Sequence, residues 1–173
     1  MLRRLSTTVS HPLPRGTRPV PSSMRLRDFF TPERVELHLE GDTRDEILEA
    51  LISLLEVDDR SRAVLSRTLR RRENLGSTGI GRGIAIPHCR SLVVTRLHMA
   101  YGRHLGGVDF QSIDDRPARH FFLIVAPPLE VAGQYLPVLG RVAQFAKEPD
   151  TPRRLAELAS ANEFFELLDS KGV

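Results

Sequence analysis

Apolar positions along this chain recur with two different periods, and the periods come in blocks. Ile47, Leu48, Leu51, Ile52 and Leu55 carry the i, i+3, i+4 spacing of one helix face. Thr43 and Glu46 stand three apart just before them as a capping-box pair, so the pattern predicts a first helix over about 43–56. Val64, Leu65 and Leu69 repeat the helical spacing over about 60–73, with Asp58 or Asp59 as the cap and a basic end at Arg70, Arg71 and Arg72 that suits the helix dipole. The period then shortens. Ile84-Ala85-Ile86 is an apolar run closed by Pro87 and reads as a short strand. Leu97, Met99 and Tyr101 alternate, which predicts a second strand near 96–103, roughly. His120-Phe121-Phe122-Leu123-Ile124-Val125-Ala126 is apolar enough for a central strand buried on both faces, ended by Pro127-Pro128.

Helical spacing returns at Val131, Tyr135, Leu136, Leu139, Val142, Ala143 and Ala146, over about 130–147, although Pro137 and Gly140 disfavour an unbroken helix. Thr151 with Pro152 reads as an N-cap and first-position pair opening a short helix through Leu155 and Leu158. Ser160 with Glu163 is a second capping box, opening a final helix that carries Phe164, Phe165, Leu167 and Leu168. Helices at both ends with strands between them predict a single α/β domain without internal repeats.

Composition narrows the class. Of 173 residues, 40% are hydrophobic and 27% charged, ordinary for a globular chain. No window approaches the ~18 uninterrupted apolar residues of a membrane-spanning helix, and a cytoplasmic location is expected. Cys89 is the single cysteine, which excludes a disulfide framework and a Cys-rich zinc module. The net charge of +3 is unevenly placed: residues 1–27 hold six arginines and no acid, and the other 146 hold 19 basic and 22 acidic groups. Overall charge therefore gives no ground to expect nucleic-acid binding.

Residues 1–23 mix four prolines with Ser, Thr and Arg and read as a disordered basic extension upstream of a domain over 24–173. A secretory signal fails because no apolar region follows Arg3 and Arg4. A transit peptide fits the Arg and Ser content, but the prolines interrupt an amphipathic helix, and Met24 stands as an alternative start.

Gly76, Gly79, Gly81 and Gly83 invite a phosphate-loop reading, but no Gly-Lys-Ser or Gly-Lys-Thr is present, and the glycines lead into a strand rather than a helix. Their conservative role is a tight, twisted lead into that strand. His88 shifts the balance. It follows Pro87 at a strand exit, and imidazole is a good nucleophile near neutral pH. Glycine amides that approach an anion closely, with Arg72 and Arg82 as fixed charges, complete what a transferable phosphoryl group needs. No histidine pair has the helical i, i+4 spacing of a metal site, so neither metal nor cofactor is assigned. Cys89 reads as a thiol near cations or, more plainly, as a small residue filling space.

The run Arg72-Glu73-Asn74-Leu75-Gly76-Ser77-Thr78-Gly79-Ile80-Gly81-Arg82-Gly83-Ile84-Ala85-Ile86-Pro87-His88 resembles the signature of the enzyme IIA domain of the bacterial phosphoenolpyruvate-dependent phosphotransferase system, of the mannitol/fructose and nitrogen-regulatory type. The resemblance extends through Arg27-Asp28-Phe29-Phe30-Thr31-Pro32-Glu33-Arg34-Val35, Val108-Asp109-Phe110 with Asp114, and Phe164-Phe165-Glu166-Leu167-Leu168. It implies a mixed sheet of about five strands flanked by helices. It further implies that His88 is phosphorylated on Nε2, that Arg72 lies beside the phosphoryl group, and that Thr78, Gly79, Gly81 and Gly83 line the pocket. The implied donor is a phosphorylated histidine carrier protein, HPr or its nitrogen-branch counterpart. The implied acceptor is a cysteine on a IIB domain, or else the phosphorylation state regulates a target protein. One departure stands out: where the family carries a second histidine on the long helix, this chain has Tyr135, which donates a hydrogen bond but no charge near neutral pH. That change leaves a second reading open, a regulatory binding module that keeps the fold without transferring phosphate.

Overall fold

In the computed structural model, residues 24–130 and 133–173 are described. The expected disordered extension over 1–23, and Val131 of the predicted long helix, lie outside the described residues. Two short 3-10 turns, Leu26–Phe29 and Pro32–Arg34, lead into β1 (Val35–Glu36). Then follow α1 (Arg44–Ser53), α2 (Asp59–Leu75), β2 (Gly79–Gly81), β3 (Ile84–Ala85), β4 (His88–Arg90), β5 (His98–Val108), β6 (Ala118–Ala126), α3 (Tyr135–Lys147), α4 (Thr151–Ala156) and α5 (Ala161–Ser170). The sheet is mixed, as expected, but has six strands rather than five, in the order β1-β5-β6-β3-β2, with β4 also on β6.

β6 organises everything. It pairs antiparallel to β5 and parallel to both β3 and β4. Its residues alternate between two cores, as strand geometry requires. Phe122, Ile124 and Ala126 pack with residues of α3, α4 and α5, whereas Phe121, Leu123 and Val125 pack with α1 and α2. A helical layer on each face explains why this strand is apolar throughout.

The strand expected to end at Pro87 does not end there. Ile84 and Ala85 face His120 and Phe121, and His88, Cys89 and Arg90 face Ile124, Val125 and Ala126, so β3 and β4 follow β6 in one unbroken register. Pro87 lacks an N–H and interrupts the ladder, yet its carbonyl accepts from the Ile124 N–H at 3.0 Å, and pairing resumes at once. His88 therefore opens a strand instead of trailing one.

The helix starts follow their capping chemistry. Thr43 accepts from the Glu46 N–H, and the Glu46 carboxylate accepts from the Thr43 N–H, a complete capping box. Asp58 caps α2, which runs two residues beyond its expected end. At α4 the cap position is Asp150, not Thr151; Thr151 is buried and donates its hydroxyl to the Phe145 carbonyl at 2.8 Å. α3 begins at Tyr135, later than expected, so Pro137 falls in its first turn, where a missing N–H costs nothing. The Glu130 carboxylate accepts from the N–H groups of Gln134 and Tyr135 and fixes that start.

Candidate functional site

The glycine-rich segment forms a β-hairpin. β2 pairs antiparallel with β3 through a two-residue turn in which Arg82 has φ +58° and Gly83 φ +77°. Two left-handed central residues make a type I′ turn, the kind whose twist matches a hairpin. A Cβ on Gly79 would lie 2.8 Å from the Ser112 Cα, and one on Gly81 would lie 3.2 Å from the Asp114 carboxylate. These glycines admit the 110–115 loop against the hairpin. Asp114 completes the join by accepting from the N–H groups of Arg82 at 2.9 Å and Arg116 at 3.2 Å. The Gly79 N–H is taken by the Ser77 hydroxyl.

The hairpin places Ile86 beside His88. The Ile86 N–H donates to the Thr78 carbonyl at 3.1 Å, and its own carbonyl lies 2.7 Å from His88 Nδ1. A carbonyl oxygen only accepts, so Nδ1 carries the proton and the lone pair of the neutral ring is on Nε2. Nε2 has no hydrogen-bond partner among the described residues and is not among the buried, unpartnered atoms. Burial lowers the His88 pKa below its ordinary 6.5; the Ile86 bond and Glu73 work against that shift, and the Arg72 charge adds to it. The ring is thus a half-buried neutral base at pH 7.

Arg72 and Tyr135 approach it, and Arg90 covers the Tyr135 ring. Arg72, near the end of α2, donates to the Gly76 carbonyl at 2.9 Å, and its charge is felt at both His88 and Tyr135. Tyr135, at the start of α3, has its ring centroid 6.3 Å from that of His88. The Arg90 guanidinium lies 4.4 Å from the Tyr135 ring centroid and donates to the Pro128 carbonyl at 3.1 Å. Burial raises the Tyr135 pKa, so the phenol stays a neutral donor. Its hydroxyl has no hydrogen-bond partner among the described residues.

Thr78 stands one layer back. It is buried, and both its N–H and its hydroxyl donate to the Glu73 carboxylate, at 2.9 Å for the N–H. Arg82 departs from expectation: its guanidinium turns away to the α3 C-terminus and donates to the carbonyls of Ala146, Glu148 and Pro149, each at 2.9 Å. It caps a helix there. Cys89 is buried, and desolvation pushes its thiol up to about 12, which favours the space-filling role. His120 is a buried core group, 2.9 Å from the Tyr101 hydroxyl. Sequence reasoning passed over Arg90 and Glu73. A signal for Arg90 existed: it is two residues beyond His88, and residues i and i+2 of a strand share a face.

A neutral imidazole with one free nitrogen, two arginines and a phenol is suited to receiving an anionic electrophile. Residues 28–171 match the family described as phosphoenolpyruvate-dependent sugar phosphotransferase system, EIIA 2. The chain belongs to that family. The IIA family includes both sugar-transport and regulatory relatives. Identity is 30% over 148 residues to a nitrogen regulatory protein of Pseudomonas aeruginosa, covering 84% of this chain and 95% of that one. It is 26% over 148 residues to the fructose-specific EIIABC component of Bacillus subtilis, covering 84% of this chain but only 23% of the relative's length. Among solved structures, the nitrogen regulatory protein IIA-Ntr of Neisseria meningitidis superposes with a TM-score of 0.74 at 29% identity, covering 82% of this chain and 97% of that one. The IIA mannitol of Escherichia coli has the same fold, with a TM-score of 0.64 at 23% identity over 80% of this chain and 98% of that one.

Proposed function

We propose that this IIA chain is a phosphoryl carrier that accepts a phosphoryl group on His88 Nε2 from a phosphorylated histidine carrier protein. The observation that carries the reading is the Ile86 carbonyl at 2.7 Å from His88 Nδ1, which leaves Nε2 as the free nucleophile. In the transfer, the Nε2 lone pair forms a new P–N bond as the donor's P–N bond breaks, and the donor imidazole keeps that electron pair. The proton stays on Nδ1 and keeps donating to the Ile86 carbonyl, so positive charge develops on the ring, and Glu73 favours it. Arg72 balances charge on the phosphoryl oxygens, Tyr135 offers one hydrogen bond, and the Gly79, Gly81 and Gly83 hairpin with Thr78 holds Ile86 in place.

The carrier has two natural outlets, a cysteine on a IIB domain or a target protein bound in one phosphorylation state. The 29% identity and TM-score of 0.74 to a nitrogen regulatory IIA support the regulatory outlet, and a cytoplasmic carrier is part of the same proposal. Incubation with phosphoenolpyruvate, enzyme I and HPr, or with the nitrogen-branch counterparts, tests the reading by intact mass. One acid-labile phosphate is expected, absent in His88→Ala. No uptake would favour the non-transferring binding module. Rapid transfer onward to a fructose or mannitol IIB cysteine would favour the sugar outlet.

A further inference from the structure

A second cluster of donors lies apart from His88. A concavity of about 260 Å³ opens where the two 3-10 turns meet the start of β5 and the cap of α3, lined by Phe29, Phe30, Arg34, Arg96, His98 and Gln134 among others. Arg34 Nη1 donates to His98 Nδ1 at 2.8 Å. A guanidinium has only donors, so Nδ1 is the bare nitrogen and His98 Nε2 carries an N–H. Burial, together with the charges of Arg34 and Arg96, holds His98 neutral, with its pKa pushed down to about 4.

Neither arginine of the pair forms a salt bridge among the described residues. Glu33 and Glu56 act on Arg34 only as weaker, longer-range charges, and Asp28 at the rim is paired with Arg25. Arg34 is partly desolvated and repelled by Arg96, and both effects lower its pKa. Two like charges sharing a concavity that Phe29 and Phe30 help to line raise the free energy of the empty protein, and an anion between them removes that cost. Residues 1–23 contain no Asp or Glu and cannot supply that anion from a side chain.

We propose that this concavity binds a small organic anion, its carboxylate or phosphate head between Arg34 and Arg96 and its short apolar body against Phe29 and Phe30. The His98 N–H and the Gln134 amide provide neutral donors in the same wall. The volume is at the small end of ligand sites, which suits a metabolite rather than a peptide segment. The site shares no residue with the His88 cluster and stands whether or not His88 carries phosphate.

The test is a titration of the full-length chain, followed by NMR at the signals of Arg34, Arg96, His98 and Gln134, with ionic strength held constant by chloride. The probes are acetate, benzoate, inorganic phosphate and phenyl phosphate. Saturable shifts are expected, with each aromatic probe binding at least about fivefold more tightly than its small counterpart because its ring leaves water. Saturation by either headgroup series supports the site, and the tighter series identifies the head. Arg96 is exposed in a loop, so Arg96→Ala should fold normally while weakening binding by about tenfold or more. Arg72→Ala should leave binding unchanged. Linear shifts that chloride reproduces, an unaffected Arg96→Ala, or loss of binding in Arg72→Ala would each overturn the proposal.

Discussion

A backbone oxygen sets the chemistry of His88. Because the Ile86 carbonyl holds Nδ1–H and burial lowers the ring's pKa below 6.5, Nε2 is a free base at neutral pH. Phosphoryl uptake should therefore rise with pH through a midpoint below 6.5 and then level off, read by rapid-quench transfer from phosphorylated HPr. A midpoint above 6.5 would mean that the ring is held as a cation instead. Arg72→Ala should slow uptake by about 10- to 100-fold, the weight of one charge-assisted donor in a partly dry site. Its thermal midpoint should barely move, because the side chain's one described hydrogen bond goes to the neighbouring Gly76 carbonyl. Tyr135→Phe keeps the ring under Arg90 and removes only the hydroxyl, so a two- to tenfold loss is expected, roughly. An unchanged rate would show that the phenol does not meet the phosphoryl group.

Among the elements, the β2–β3 hairpin is where glycine matters most for stability. At Gly79 a methyl group would run into the backbone of Ser112, so Gly79→Ala should destabilise the fold by about 1–3 kcal/mol in urea unfolding. A neutral result would show that the 110–115 loop is free to retreat. The elements also show what sequence alone reveals. Both predicted capping boxes place their caps, Thr43 and Ser160, at the starts of α1 and α5, because the signal and its partner lie within four residues. β6 was legible for a different reason: only a strand covered on both faces needs so long an apolar run. The continuation of β3 into β4 was not legible, because Pro87 is a local stop signal and the register that overrides it comes from β6, more than thirty residues away. The same distance hid the partners of Arg82, whose charge looked available in sequence and is spent on carbonyls at the end of α3. His88 and Arg72 were nameable from the signature segment, and Tyr135 from the position on the long helix where the family carries a second histidine, whereas Arg90 over Tyr135 required the start of α3 to be placed.

Across the whole molecule, histidines held neutral make the fold sensitive to acid. The folded-state pKa values of His98 and His120 are depressed to about 4, against 6.5 for the ordinary group. Between those values the unfolded chain binds more protons, so stability falls as pH drops from 6.5 towards 4 and is insensitive to these groups above 6.5. For the deeply buried His120 the loss is on the order of 3 kcal/mol, and His120→Asn should flatten that part of a urea-midpoint profile. An unchanged slope would assign acid sensitivity to other groups. The proposed function rests at this scale on the sheet: β6 fixes β4, β4 presents His88, and α2 and α3 bring Arg72 and Tyr135 to it. The most direct test is ³¹P NMR of the full chain after incubation with phosphoenolpyruvate, enzyme I and HPr, with ¹⁵N-labelled histidine. The account predicts one phosphohistidine signal, coupled to Nε2 of His88 and absent in His88→Ala. Phosphate on Nδ1, on another histidine, or on none would contradict it.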